Sequence, residues 1–233
     1  MTVVLEGLHA LKHAVRFGAA VTAILTDDLD KALAVADAVA PELRDVLVAR
    51  AEAVPTARFR ELAVQPVPTH VLAYAEPPTW TLGDALPRPG HPTVLLDDPR
   101  NSKNLGAVVR VAAAAGAAGV LVRGDADPYD RMAIRGAAGL QWAIPCIKVE
   151  RRVDRLVGLD AGGEPLDPAR YRTPTIFAFG SERTGLSEAV RSQCDEIVSL
   201  PMRAHVSSLN LATAVSAVLY LVRYAAGDLA AGR

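Results

Sequence analysis

Three short segments combine hydrogen-bonding side chains with glycine or proline and a cation. They are Asp97-Asp-Pro-Arg-Asn-Ser-Lys-Asn-Leu-Gly106, with Arg110 one helical turn on, Phe179-Gly-Ser-Glu-Arg-Thr-Gly-Leu186, and Leu200-Pro-Met-Arg-Ala-His-Val-Ser-Ser-Leu-Asn210. Each follows a strand-like apolar run, which is where an open α/β sheet presents its ligand-contacting loops. Arg100, Lys103, Arg183 and Arg203 lie in or beside these loops, so a basic rim able to dock a phosphate can exist on a chain with no overall positive charge. Each segment also has a purely structural reading. Asn104 could simply cap a helix, the second segment could be a glycine-bounded turn feeding a helix, and the third could be a Ser-capped helix after a proline loop.

The elements that would hold these loops follow from periodicity. Between Thr93 and Tyr224 the pattern alternates: strand Thr93–Asp97, a helix from about Asn104, strand Gly119–Arg123, and a helix near Asp130–Ala137. Strands around Ile144–Val149 and Thr175–Phe179 come next, then a helix near Ser187–Ser192, strand Glu196–Leu200 and a long apolar helix Leu209–Tyr224. Repeated βα units predict a mostly parallel sheet. Residues 1–76 form a smaller α/β/α pattern: helix Gly7–Phe17, strand Val21–Leu25, helix Leu29–Val39, an apolar run Val46–Val48, a short helix Ala57–Leu62 and strand Val71–Tyr74. Between them, Pro77, Pro78, Pro87, Pro89 and Pro92 with Gly83 and Gly90 mark residues 77–92 as a linker, because no element interior tolerates that density of breakers.

The bulk numbers exclude several classes. A net charge of -1 argues against a surface that grips nucleic acid everywhere. Aromatics at 5% alongside 51% apolar residues favour helices on a valine-rich sheet over an aromatic all-β core. Cys146 and Cys194 lack metal-ligand spacing and suit a reducing compartment. No apolar run reaches the ~18 residues of a membrane span, and Glu6, His9, Lys12 and Arg16 break any secretory pattern. The expectation is a cytoplasmic protein without a metal or membrane partner. A G-x-G-x-x-G after the first strand of the second unit, the mark of a dinucleotide enzyme, is missing.

Taken together and in order, the three loops resemble the SpoU (TrmH) family of RNA ribose methyltransferases, within the knotted SPOUT class, over residues 93–225. The family pattern N-x-G-x-x-x-R is matched by Asn104, Gly106 and Arg110. G-x-E-x-x-G-L is matched by Gly180, Glu182, Gly185 and Leu186, and P-M followed by S-L-N by Pro201, Met202, Ser208, Leu209 and Asn210. The chain departs from the family at Ala204 (usually glycine), Val111 (threonine), Ser102 (proline) and Gly136 (serine), and the stretch between Val149 and Leu159 is short. Glu6-Gly-Leu-His-Ala10 resembles the start of a small ribosomal-protein-like RNA-binding domain found in many rRNA-modifying members, although residues 1–76 carry 7 Lys+Arg against 10 Asp+Glu.

The resemblance implies a trefoil-knotted catalytic domain at 93–233, preceded by an RNA-binding domain at 1–76, acting as a homodimer. It implies S-adenosyl-L-methionine as cofactor and the 2′-hydroxyl of an RNA ribose as acceptor, rRNA ahead of tRNA because small tRNA-modifying relatives often lack the extra domain. The alternative in another class is a non-catalytic ribosome-assembly factor. It assigns the reaction to Arg110, oriented by Ser208 and Asn210, with Asn104 and Glu182 bridging the first two loops. It assigns the cofactor walls to Gly180, Leu200, Met202 and Leu209, and RNA contacts to Arg100, Lys103, Arg183 and Arg203. A guanidinium keeps its proton at ordinary pH, so the role implied for Arg110 is to bind the acceptor and stabilise developing oxyanion charge. The apolar faces of Leu105–Ala115 and Leu209–Tyr224 are the implied dimer seam.

Overall fold

The computed structural model describes residues 2–150, 155–206 and 208–227; part of the short stretch between Val149 and Leu159 therefore lies outside the described residues. The second unit is built on strands β5 (Thr93–Asp97), β6 (Gly119–Arg123), β7 (Cys146–Lys148), β8 (Leu156–Pro165), β9 (Ile176–Phe179) and β10 (Glu196–Ser199). They pair in the order β10-β8-β9-β5-β6-β7, and every pairing is parallel. Parallel strands in such a sheet are covered on both faces, and the side chains show it. Val94, Leu96, Val120, Val122, Phe177 and Phe179 join one apolar cluster with helices α5 (Ser102–Ala114) and α8 (Leu211–Ala226). Leu95, Leu121, Ile176 and Ala178 point the other way, into a second cluster with Val190 of helix α7 (Glu188–Arg191).

Chain order reverses between β9 and β5. The chain runs from β5 outward to β7, then returns to the other side of β5 through β8 and β9. Such a switch point leaves a crevice beyond the carboxyl ends of the two adjacent strands. The first and second loops leave β5 and β9 at that crevice.

Helix α5 meets helix α6 (Arg131–Ala137) through glycine. A side chain begun at Gly106 would lie 2.2 Å from the Ala133 carbonyl oxygen, and one at Gly136 would lie 2.9 Å from that of Lys103. Gly106 is therefore a packing residue that lets two backbones touch. A serine at position 136 would push α5 away.

The first unit contains β1 (Val3–Glu6), α1 (Leu8–Arg16), β2 (Val21–Thr26), α2 (Leu29–Val39), α3 (Arg44–Arg50), β3 (Ala51–Ala53), α4 (Thr56–Leu62) and β4 (Val71–Ala75), with sheet order β1-β4-β2-β3. The Val46–Val48 run lies in α3, a helix, and does not form a strand. Leu43 and Leu47 are buried one turn apart while Val48 is 60% exposed, so the period is helical and three apolar residues were too short a window to show it. Strand β1 carries no pattern long enough to read, and pairing with β4 makes it a strand.

Residues 77–92 connect the two sheets and dock on the second. Thr81 and Asp84 form a capping box around a 3-10 turn at Leu82–Ala85. The Thr93 hydroxyl donates to the Ala85 carbonyl at 2.6 Å, and the Trp80 indole donates to Gln141. The first unit itself is tied to α6. The Glu6 carboxylate, almost fully buried, accepts from Arg131 at 2.7 Å, Arg135 at 2.8 Å and the Val64 amide at 2.8 Å. Ile134 of α6 and Trp142 are buried in the first unit's core.

Glu6→Ala is expected to lower stability by about 2 kcal/mol, read from the urea unfolding midpoint. Breaking a fully buried ion pair costs about 3–5 kcal/mol, and the two guanidinium side chains here remain 32% exposed, so water recovers part of that loss. An unchanged midpoint would show that the junction rests on apolar contacts alone.

Both cysteines are free thiols. Burial pushes the Cys146 thiol far above its ordinary value and that of Cys194 up to about 11, so both stay protonated at neutral pH.

Candidate functional site: two cavities at the switch point

The first loop is fixed at its strand end and at its helix end. Asp97, buried at the tip of β5, accepts from the Ser187 amide at 2.6 Å, which ties it to the start of α7. Asn101 caps α5, accepting from the Lys103 and Asn104 amides. Asn104 is thereby released from capping. Its side-chain amide donates to Glu182 Oε1 at 2.6 Å, joining loops 78 residues apart.

The second loop is a tight reversal. Ser181 and Gly185 exchange both backbone hydrogen bonds at 3.0 Å, and Gly185 takes a φ of 68°. Gly180 lies so close beneath that a Cβ there would fall 1.9 Å from the Gly185 carbonyl carbon. No side chain fits at Gly180.

The third loop ends at Asn210, whose side chain accepts from the Ala212 and Thr213 amides and caps α8. The cap is thus Asn210, and Ser208 is left at the cavity wall. An amide oxygen at that position satisfies the helix end and still leaves the loop before it free to form a surface.

The three loops enclose a cavity of about 600 Å³, lined by Asn104, Gly180, Glu182, Arg183, Leu200, Met202, Ser208, Leu209 and Asn210 among others. All four residues assigned to the cofactor are in it, as are four of the five assigned to the reaction. Its size lies within the ~300–1,000 Å³ usual for small-molecule sites. The lining combines apolar Phe179, Leu200 and Leu209 with polar Glu182, Ser208 and Asn210. A flat heteroaromatic ring joined to a charged tail fits that combination, and the Glu182 carboxylate suits a sulfonium cation.

A second cavity of about 520 Å³ shares Asn104, Glu182 and Arg183 with the first and adds Arg100, Asn101, Ser102, Lys103 and Met132. The Asn104–Glu182 hydrogen bond is thus part of the wall between them. Three of the four assigned RNA contacts line this second cavity. Arg100 also pairs with Asp98 at 2.5 Å. Arg203 is exposed and lines neither cavity.

Arg110 lines neither cavity as well. Six residues past Asn104, it is displaced about 9 Å along α5 and about 240° around it. It lies on the outward side of the helix with exposed Lys103 and Ala114 and half-buried Ala107. Leu105, Val108, Val109 and Ala112 of the same helix are buried in their own core.

Sequence reading missed a third wall. Strand β8 brings Leu159, Asp160 and Ala161 into the first cavity. Its glycines at 158, 162 and 163 and its proline at 165 argue against a strand. They are tolerated because the β10 backbone runs against it, a Cβ at Gly163 meeting Ile197 O at 2.7 Å. Asp160 accepts from the Gly162 amide at 2.9 Å and from Arg191 at 2.8 Å, and those contacts, Gly162 first, hold its carboxyl below the usual carboxylate range. A separate concavity of about 450 Å³ beside Asp27 and His70 of the first unit shares none of these residues.

Comparison with known proteins decides the family. The model of the SpoU rRNA methylase family matches residues 91–220, more than half of the 233. The chain belongs to the SpoU rRNA methylase family. A 23S rRNA (uridine(2479)-2′-O)-methyltransferase of Streptomyces viridochromogenes is 35% identical over 170 residues, covering 66% of this chain and 59% of that protein. An uncharacterised tRNA/rRNA methyltransferase of Mycobacterium bovis is 38% identical over 158 residues, covering 63% and 49%. The chain thus aligns with about half to three-fifths of these relatives. The solved SpoU methyltransferase AviRb of Streptomyces viridochromogenes, in complex with S-adenosylmethionine, superposes with a TM-score of 0.79 at 29% identity over 99% of this chain and 91% of its own. The likeness to AviRb thus extends through both units, while the family model covers the second.

Proposed function

We propose that this protein transfers a methyl group from S-adenosylmethionine to a ribose 2′-hydroxyl of ribosomal RNA. The observation that carries the reading is the pair of cavities meeting at the Asn104–Glu182 bond, one mixed apolar and polar, the other rimmed by Arg100, Lys103 and Arg183. Two ligands held in cavities that adjoin at that bond can meet along their shared edge, which direct transfer between them requires. When bound, S-adenosylmethionine supplies an already activated methyl carbon, so the chain has to position the reactants and manage a proton. Gly180, Leu200, Met202 and Leu209 hold the cofactor, and Asn104 and Glu182 keep the two loops in register. Arg100, Lys103, Arg183 and Arg203 take RNA phosphates, and Arg110 stabilises the hydroxyl oxygen as charge develops on it.

The protein works as a homodimer in this proposal. Arg110 faces away from its own cavity, and Tyr220, Leu221 and Tyr224 of α8 are 39%, 43% and 77% exposed. A two-fold contact through α8 would cover those side chains and set Arg110 and Ser208 of different protomers beside one another. Residues 1–76 bind RNA, the chain is threaded as a trefoil knot, and the protein resides in the cytoplasm. None of the described helices is long and apolar enough to cross a membrane.

Incubation of the purified protein with S-adenosylmethionine carrying an isotopically labelled methyl group, and either 23S rRNA transcript or total tRNA, tests the reading. Label is expected in a 2′-O-methylated nucleoside from rRNA. Label from tRNA alone would move the substrate. Label in neither, with S-adenosylmethionine also failing to bind, would favour an assembly factor that only binds RNA.

A further inference from the structure

Asp160 stands in the cofactor cavity on β8, a strand that none of the three signature loops includes. Its position is imposed from several directions. Gly162 and Arg191 each donate to one carboxylate oxygen, and a Cβ built at Gly185 would lie 3.9 Å from Oδ2, so the carboxylate faces the second loop. Along the sheet, β8 is the second neighbour of β5, which puts Asp160 about 10 Å from the end of β5, from which the first loop leads on to Asn104. The transferred methyl belongs at the Asn104–Glu182 wall beside the acceptor cavity. Asp160 therefore meets the part of the cofactor farther from the reaction.

The two carboxylates in the cavity differ in kind. Glu182 is bonded to the neutral amide of Asn104 and keeps its negative charge for a cationic neighbour. Asp160 is paired with Arg191, so the pair is neutral overall and offers little to an ammonium group. It still offers acceptor sites, because an ionised carboxylate has about four lone-pair positions and the two contacts use only two. A fixed, charge-balanced acceptor suits a neutral hydroxyl donor. We propose that Asp160 accepts hydrogen bonds from the ribose hydroxyls of the cofactor's adenosine, with Arg191 and the Gly162 amide as positioning groups. The inference rests on the reading that the cavity holds S-adenosylmethionine.

The test is calorimetric titration of the full-length protein with S-adenosylhomocysteine and with its 2′,3′-dideoxy analogue, which lacks both ribose hydroxyls. The wild type is expected to bind the analogue at least tenfold more weakly, the scale of a lost hydrogen bond to a charged group. Asp160→Ala should bind S-adenosylhomocysteine at least tenfold more weakly and discriminate against the analogue by less than twofold. Arg191→Ala, which keeps the carboxylate, should still discriminate. If Asp160→Ala does not fold, Asp160→Asn takes its place, with discrimination expected to fall severalfold. Equal binding of the two compounds by the wild type, or undiminished discrimination in the Asp160 variant, would overturn the proposal. Failure of the wild type to bind S-adenosylhomocysteine at all would instead remove the methyltransferase reading on which it rests.

Discussion

Arg110→Ala is expected to cut methyl transfer by about 10²–10³-fold, the usual loss when one donor to a developing oxyanion is removed, while S-adenosylmethionine binds within twofold of wild type. The separation follows from placement. Arg110 is exposed on α5 and lines neither cavity of its own protomer, so the walls of its own cofactor cavity do not rest on it. Arg110→Lys keeps the charge but loses the planar fork, and should recover only a small part of the rate. Single-turnover methylation measures the first quantity and calorimetric titration the second. Full turnover in Arg110→Ala would remove the residue from the reaction. The dimer gives a sharper outcome. Mixing Arg110→Ala subunits with subunits unable to bind cofactor should restore activity to one site in each mixed dimer, because an intact Arg110 then faces an intact cavity. No restoration in verified mixed dimers would place the guanidinium and the cavity in one protomer.

Gly180→Ala has the second large effect, on binding and stability together. The added carbon would fall 1.9 Å from Gly185 C and 2.1 Å from Leu186 N. Both are backbone atoms, so relief requires the second loop to move as a unit. That loop is closed by two hydrogen bonds between Ser181 and Gly185 and carries Glu182. Displacing it separates Glu182 from Asn104 and opens the wall between the cavities. Affinity for S-adenosylmethionine is expected to fall more than tenfold, and stability by about 1–3 kcal/mol, as for other overpacked sites. Titration and thermal unfolding report the two effects. A variant with wild-type affinity would mean that the loop is looser than its contacts indicate. Gly106→Ala makes a useful contrast. Its Cβ would strike Ala133 O at 2.2 Å at the contact between α5 and α6, so it should destabilise through that helix contact.

Much of the element order is legible without the structure, for a physical reason. Strands covered on both faces are short continuous apolar runs, and Thr93–Asp97, Gly119–Arg123 and Thr175–Phe179 all read that way. Signals failed where tertiary contacts override local preference. Strand β8, rich in glycine, exists because β9 and β10 pair with it, and with it went Asp160. The Val46–Val48 run is helical because Leu47 packs inward from α3.

The sequence by itself determined the family, through three sets of residues whose spacing survives along the chain, and most of the element order. The family pattern pointed to Asn104 as the bridge to Glu182, but periodicity alone left Asn104 equally able to cap the helix and did not single out Asn101. Asn101 and Asn104 are alike as residues, and only the fold places one at the end of α5 and the other within reach of Glu182. Sheet order is the deeper case. Setting β9 beside β5 joins loops 78 residues apart into one wall, a pairing across long sequence separation that local periodicity does not encode.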